Sequence, residues 1–184
     1  TIGTNRSLYV PGNHDLSIGV YDSKLTIDRK RHSDDNISGI HPQGLMKPYL
    51  EHLNITSTDV DETVRFLLTA MPEFSIRGGG SGEKAQHWVH VGTEDSYLCV
   101  EDRGATERGP HRPYVHPGMN HMGFVVTDAS ALAERLLEAG YEQGATYVDH
   151  PHRHRYYFFD HDGNEYEFVQ YFSEDPEERN EYES

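Results

Sequence analysis

The sequence has one cysteine, few basic residues and no long apolar segment, and each shortage excludes a class of protein. Cys99 alone cannot form a disulfide within the chain, which is typical of a reducing compartment. The 31 acidic residues outnumber the 16 basic ones, and the net charge of −15 disfavours nucleic acid and anionic membrane surfaces as partners. We therefore expect a small-molecule substrate or another protein as the partner.

Hydrophobic content sets the size of the core and argues against a membrane protein. The chain nowhere contains the run of about 18 apolar residues that a spanning helix needs. Its first residues also have neither the basic end nor the apolar segment of a signal peptide, and we expect a cytoplasmic protein. With 184 residues, 35% of them hydrophobic, the chain can bury one good core.

The two ends of the chain differ from its centre. Residues 1–47 show no sustained period and are predicted to be an N-terminal extension, although LSIGVYDSKLTID (16–28) alternates well enough for a hairpin that turns near Asp22 and Ser23. The end SEDPEERNEYES (173–184) holds six acids and one Arg, and is predicted to be a frayed acidic tail. The domain itself is expected over residues 48–172.

Two segments of this central part have the same order of predicted elements. Residues 48–104 read as a strand, a helix and three strands, and residues 118–172 repeat that order. The windows HLNITSTDVDETVRFLL from His52 and HMGFVVTDASALAERLL from His121 align without a gap. We therefore predict an α+β fold of paired βαβββ modules that form a curved mixed sheet cup.

Strand alternation sends one His and one Glu of each module to the side of its sheet away from the helix. His52 and His121 lie in the first strands, whereas Glu101 and Glu167 lie in the last strands, 49 and 46 residues later. If the modules meet about a pseudo-twofold axis, the four groups converge. Two imidazoles with one or two carboxylates suit a divalent metal ion such as Zn, Ni, Mn or Fe(II), with positions left open for substrate.

The module order, the segment NHMGFVV and the ending FFDHDGNEYEF resemble the vicinal oxygen chelate superfamily. That superfamily includes glyoxalase I, fosfomycin-modifying enzymes, methylmalonyl-CoA epimerase, extradiol dioxygenases and bleomycin-binding proteins. The resemblance covers residues 48–172. It implies that His52, His121 and Glu167 are metal ligands.

The resemblance leaves the role of Glu101 open. This residue lies near the place of a fourth ligand, but Cys99 on the same face fits that place equally well, and Glu101 is a candidate general base when it is not a ligand. The remaining interpretation of Glu101 is a solvated strand end beside Asp102 and Arg103. The segment RYYFFDHDGNEYE is similar to the fosfomycin-resistance branch, which implies that Tyr157 faces substrate. The residues predicted to bind substrate are Asn54, Tyr97, Cys99, Arg155 and Tyr157.

Two classes of function follow from the resemblance. The first is a metal-dependent enzyme that chelates two neighbouring oxygens of a small substrate and performs lyase, isomerase or transferase chemistry; an Fe(II) dioxygenase is the variant that needs only two His and one carboxylate. The second is a metal-free protein that binds a small molecule, such as an antibiotic. The retained His, His and Glu favour the enzyme, because a metal-free binder has no need of these ligands.

Three further segments bear on organisation. RGGGSGEK is predicted to be a hairpin loop rather than a phosphate loop, and DHPHRHRYY a polar connection rather than a second metal site.

The linker DRGATERGPHRPYVHPGMN contains three Pro and three Gly and is long enough to pair the modules within or between chains. In relatives of similar length the modules exchange between subunits, so the resemblance implies a homodimer with composite sites.

Overall fold

The computed structural model describes residues 17–21, 24–28 and 48–182, in two compact units, residues 1–47 and 48–184. In the first unit, β1 (Ser17–Tyr21) pairs antiparallel with β2 (Lys24–Asp28), so the predicted hairpin is present. Its two predicted turn residues lie outside the described residues. Among the helices of the described ranges, none is long and apolar enough to cross a membrane.

The second unit contains two sheets of four strands, with one main helix following the first strand of each. The first sheet has the order β3-β6-β5-β4 and the second β7-β10-β9-β8, and in each the first strand of the module runs parallel to its last. The predicted α+β class and the repeated βαβββ order are thus confirmed. The elements are β3 (His52–Thr56), α1 (Val60–Ala70), β4 (Ser75–Gly80), β5 (His87–Gly92), β6 (Tyr97–Asp102), β7 (His121–Val125), α2 (Ala129–Glu138), β8 (Glu142–Tyr147), β9 (Arg153–Phe159), β10 (Glu165–Tyr171) and α3 (Pro176–Arg179).

The two main helices begin in the same way. The side chain of Asp59 accepts a hydrogen bond from the amide of Glu62 at 3.1 Å, and Asp128 accepts one from the amide of Ala131 at 2.9 Å. Each Asp satisfies an amide that the helix itself leaves without a partner. The equivalence suggested by the gapless alignment therefore extends to the start of both helices.

The helix-facing sides of the two sheets share one core. Phe66 of α1 packs against Tyr166 and Phe168 of the other module, with ring centroids 4.8 and 6.4 Å apart. Because these rings alternate along β10 with Glu165 and Glu167, the two glutamates lie on the opposite side of the strand. We call this side, in either sheet, the outer face. The outer faces of the two sheets point away from the shared core.

Two strands extend beyond their predicted bounds, because they contain glycines that do not fit a strand pattern in the sequence. β4 continues through glycines predicted as loop, and a Cβ added at Gly79 would lie 2.8 Å from the carbonyl oxygen of Trp88. β8 begins three residues earlier than the pattern ATYVD indicates, and a Cβ at Gly144 would lie 3.1 Å from the ring of Phe159. Glycine has low strand propensity, but both positions need close approach by a neighbour.

The acidic tail differs from the predicted frayed end as far as residue 182. Its short helix α3 is held by Arg153, whose guanidinium donates to the carbonyl of Arg179 at 3.0 Å, and Arg179 in turn lies 4.4 Å above the ring of Tyr171. His152 lies 3.7 Å from Glu178. The predicted polar connection before β9 thus contacts the tail, and over the described residues no metal-binding cluster forms there.

Asp162, in the turn before β10, links the two modules. Its carboxylate accepts hydrogen bonds from the hydroxyl of Ser57 at 2.8 Å and from the amide of Thr58 at 3.0 Å, and also from the Thr58 hydroxyl. Burial opposes ionisation of this group, but the hydrogen bonds from Thr58 and Ser57 outweigh it and lower the pKa of Asp162. The contact joins the end of β3 to the second module.

Replacing Asp162 by Ala is expected to lower the free energy of unfolding by about 2 kcal/mol at neutral pH, because donors on Ser57 and Thr58 lose a charged acceptor. The lowered pKa gives the sign of the pH dependence: the advantage of the wild type is present above the ordinary carboxyl pKa and is lost as the pH falls through the lower folded-state pKa. Urea denaturation at neutral and acidic pH measures both effects. Asp95→Ala, in the exposed turn after β5, is the control, and an equal loss in both variants would contradict the proposed link.

Candidate metal and substrate site

His121 and Glu167, two of the predicted ligands, lie side by side on the outer face of the second sheet. β7 and β10 are parallel neighbours, with Glu167 opposite Gly123. The Nε2 atom of His121 is 3.0 Å from Oε2 of Glu167, and both side chains are largely shielded from solvent. Gly123 has no side chain that could cover this carboxylate. The pair is positioned to present an imidazole nitrogen and a carboxylate oxygen to one ligand.

Tyr157, predicted to face substrate, covers these two residues. It lies opposite Glu167 on β9, and its ring meets that of His121 edge-on at 5.6 Å. Burial, followed by a hydrogen bond to Glu167 and the charge of that carboxylate, raises the pKa of the Tyr157 hydroxyl well above its usual range. At neutral pH the phenol is therefore protonated beside this carboxylate.

Tyr114, in the linker between the modules, contacts the other side of His121. Its hydroxyl lies 2.9 Å from Nδ1 of His121 and donates to Oε2 of Glu165 at 2.5 Å. Burial and the neighbouring Glu165 raise the pKa of Tyr114 to about 12. The sequence contains no signal for this residue, because the linker lacks a hydrophobic periodicity from which the direction of a side chain could be inferred.

The first sheet carries the other predicted residues on its outer face. His52 stacks on Tyr97 with ring centroids 5.1 Å apart and a tilt of 17°, and its Nδ1 is 2.9 Å from Oε2 of Glu51. Asn54 donates to the sulfur of Cys99 at 3.4 Å. Burial and the nearby carboxylate of Glu101 raise the pKa of the Cys99 thiol, so that it is protonated at neutral pH.

Glu101 is not the solvated strand end that the sequence left as an alternative. Its exposure is only 9%, and Oε1 of its carboxylate accepts a hydrogen bond from Arg103 at 2.8 Å. A buried carboxylate needs such a partner, because burial without one disfavours its charge. Glu101 therefore belongs to the outer face with Tyr97 and Cys99, where both the ligand and the base roles remain predictions.

An aromatic row, formed by Trp88, His90 and Tyr97, continues this face. Both neighbouring pairs of ring centroids lie 4.8 Å apart, and the guanidinium of Arg77 lies 4.2 Å above the ring of Tyr97. Glycines on β4 stand opposite the first two rings, so no side chain from that strand covers them. The alternation of Trp88 and His90 with two buried valines could have identified them in the sequence.

Arg155, predicted to bind substrate, lies on the outer face of the second sheet. Its guanidinium is 4.7 Å from the centroid of the Tyr147 ring, which in turn meets Tyr157 edge-on at 5.9 Å. Among the described residues, the Nε atom of Arg155 is buried without a hydrogen-bond partner. Such an atom is suited to an acceptor on a bound molecule.

The donors fit a divalent metal in type, but one chain does not assemble enough of them. Imidazole and carboxylate are the ligands that Zn, Ni, Mn and Fe(II) share. Within the described ranges, no three His, Cys, Asp or Glu side chains lie close enough to hold an ion. The shared core accounts for this, because it turns the outer face with His52 and Glu101 away from the one with His121 and Glu167.

Comparison with protein families decides the identity of this fold. The model of the glyoxalase/bleomycin resistance protein/dioxygenase superfamily matches residues 49–168. The chain belongs to that superfamily. The predicted resemblance to the vicinal oxygen chelate proteins is thus confirmed. None of the curated proteins matches the chain.

Solved structures of other proteins have the same fold as this chain. A glyoxylase/bleomycin resistance protein/dioxygenase domain from Frankia sp. EAN1pec is 21% identical, with a TM-score of 0.56 over 68% of this chain and 99% of that one. The fosfomycin resistance protein FosX from Listeria monocytogenes, complexed with Mn(II) and sulfate, is 18% identical, with a TM-score of 0.54 over 74% and 100%. An antibiotic-binding protein from Streptomyces sp. CB03234 is 19% identical, with a TM-score of 0.50 over 70% and 99%.

The environment of His90 generates a prediction for the outer face of the first sheet. Burial, then the positive charges of Arg77 and His52, lower the pKa of His90. Replacing Arg77 by Gln removes the second cause, so the pKa of His90 should rise but stay below its usual value. An NMR titration of the histidine ring protons measures it, with Arg65→Gln, at an exposed position of α1, as the control. No rise in the Arg77 variant would mean that burial alone sets this pKa.

Proposed function

We propose that the protein is a divalent-metal-dependent enzyme that acts on a small substrate with two neighbouring oxygens. The observation that carries the proposal is the pair His121 and Glu167, with Nε2 and Oε2 3.0 Å apart on a face that is open to a partner. The superfamily and the Mn(II) complex of the Listeria relative support it. The bound metal would supply Lewis-acid polarisation of the substrate oxygens.

We further propose a homodimer in which each site is composite. His52 and Glu101 of one chain would meet His121 and Glu167 of the other, which brings the number of donors to four. The support is that these two faces are separated within one chain, and that β3 and β7 are the edge strands beside them. Edge strands with free backbone groups are suited to association with a second sheet. The pairing would involve modules 48–104 and 118–172.

Three side chains of the outer faces would have different roles at such a site. The protonated Tyr157 hydroxyl beside Glu167 would keep that carboxylate oriented, whereas the buried Nε–H of Arg155 would donate a hydrogen bond to an oxygen of the substrate. Glu101, fixed through one oxygen by Arg103, would act as general base for a proton next to a substrate carbonyl or as the fourth ligand. Lyase, isomerase and transferase reactions all fit these roles, as does Fe(II) dioxygenase chemistry with three ligands.

The aromatic row favours a second candidate, a binding protein for a flat small molecule. The rings of Trp88 and His90 lie 4.8 Å apart opposite glycines of β4, so an aromatic ligand could pack against them. The ring of Tyr97, in contrast, already contacts His52 and Arg77. The antibiotic-binding relative from Streptomyces has the same fold. Metal content separates the two candidates, because only the enzyme requires a metal ion for its activity.

The first test is metal dependence. Protein purified without added metal, then titrated with Zn²⁺ or Mn²⁺ in a calorimeter, should bind one ion per site, and His121→Ala should abolish this binding because half of the observed pair is removed. His87→Ala, at the exposed start of β5, is the matched control and should bind as the wild type does. Unchanged stoichiometry in the His121 variant would contradict the metal site, and an absence of binding in the wild type would favour the binding protein.

The second test is complementation between two damaged chains. His52→Ala and Glu167→Ala are each expected to lack complete sites as homodimers. A refolded heterodimer with exchanged modules combines both intact halves in one of its two sites, so it should recover about half of the wild-type metal content and activity. If each site were built within one chain, every chain would carry a damaged site and the heterodimer would recover none.

A further inference from the structure

The linker before β7 is folded on itself in a way that fixes one tyrosine. Nε2 of His111 is 2.9 Å from the carbonyl oxygen of Met119, the amide of Arg112 donates to His116 at 3.1 Å, and the amide of Tyr114 donates to Oδ1 of Asn120 at 2.6 Å. These contacts close the loop immediately before His121. The side chain of Tyr114 is thereby directed back towards the start of β7.

The backbone of Tyr114 is strained by this arrangement. Its φ angle is +62°, and it is the only residue other than glycine with a positive φ among those that the structure describes. A bulky residue rarely adopts this conformation, which persists only where neighbouring contacts hold it. The contacts of the Tyr114 side chain therefore help to hold this conformation.

The hydroxyl of Tyr114 lies between one predicted ligand and one carboxylate that has no assigned role. Glu165 can only accept when ionised, so the tyrosine proton points to its Oε2, 2.5 Å away. The hydroxyl oxygen is then free to accept a hydrogen bond from Nδ1–H of His121, 2.9 Å away. The three groups form a chain in which His121 donates to Tyr114 and Tyr114 donates to Glu165.

We propose that Tyr114 and Glu165 are positioning residues that hold the Nδ1–H form of His121 and leave its Nε2 lone pair for a metal ion beside Glu167. This inference rests on the proposed function. A metal-bound imidazole needs an acceptor for its other N–H, and that acceptor fixes the ring and raises its basicity. Here the acceptor is a tyrosine oxygen, itself made more basic by the carboxylate behind it. Glu165, the second acid of the aromatic strand β10, thus has a reason to be there.

Zinc affinity tests the proposal. Tyr114→Phe keeps the ring and removes the acceptor, and should weaken Zn²⁺ binding in calorimetry by about 10-fold to 100-fold. Glu165→Gln should weaken it less, because an amide oxygen still accepts from the tyrosine. In the Tyr114→Phe background, Glu165→Gln should have no further effect, since the chain is already broken. Tyr147→Phe, the same change on the same outer face outside this chain of hydrogen bonds, should bind zinc as the wild type does.

A spectroscopic readout separates positioning from simple support of the loop. In the zinc-loaded wild type, the Nδ1–H proton of His121 should give a slowly exchanging downfield NMR resonance. In Tyr114→Phe that resonance should broaden or disappear, while the melting temperature of the metal-free protein stays within the range of the Tyr147→Phe control.

Each remaining outcome overturns the inference. Wild-type zinc affinity in Tyr114→Phe would mean that the hydroxyl does not act on His121. Weaker binding accompanied by an equal loss of stability in the metal-free protein would reduce Tyr114 to a loop anchor. If the wild type itself binds no zinc, the proposed function fails first and the inference falls with it, which distinguishes the two failures.

Discussion

The packing of Phe66 against the second module is the contact on which the arrangement of the site depends. This ring, from α1, is fully buried against Tyr166 and Phe168 of β10, so both sheets contribute their helix-facing sides to a single core. Apolar burial of this kind is the largest favourable contribution to folding. It fixes the glutamates of β10 on the opposite side of the sheet. The same packing that stabilises the fold thus places the polar residues of both modules on the outer faces.

This packing leaves each outer face incomplete for an ion. The faces hold imidazoles, carboxylates and phenols whose mutual hydrogen bonds satisfy much of their polarity, as the hydroxyl of Tyr114 does between His121 and Glu165. Such networks are stable only when each member has a partner. Arg155, whose Nε is buried without one among the described residues, marks a point where a bound molecule would complete the network. Arg155 lies on the same outer face as His121 and Glu167.

Periodicity in the sequence predicted the parts of this site that lie on strands. A period of two residues was enough to place His121 and Glu167 on one side of their sheet. It gave no information on Tyr114, because a loop held by side-chain to backbone contacts has no repeating direction. The packing of one module against the other was also not predictable, since it depends on ring contacts between distant segments.

The two outer faces differ in charge, and this difference bears on how two chains would pair. The first face carries Arg77 and the ion pair of Glu101 with Arg103, whereas the second carries Glu165 and Glu167 close together. Association of two second faces along β7 would bring these carboxylates together. Pairing of unlike faces would keep them apart, and such complementarity favours one arrangement over the alternatives. A twofold axis that matches the first face of each chain with the second face of its partner produces this contact twice.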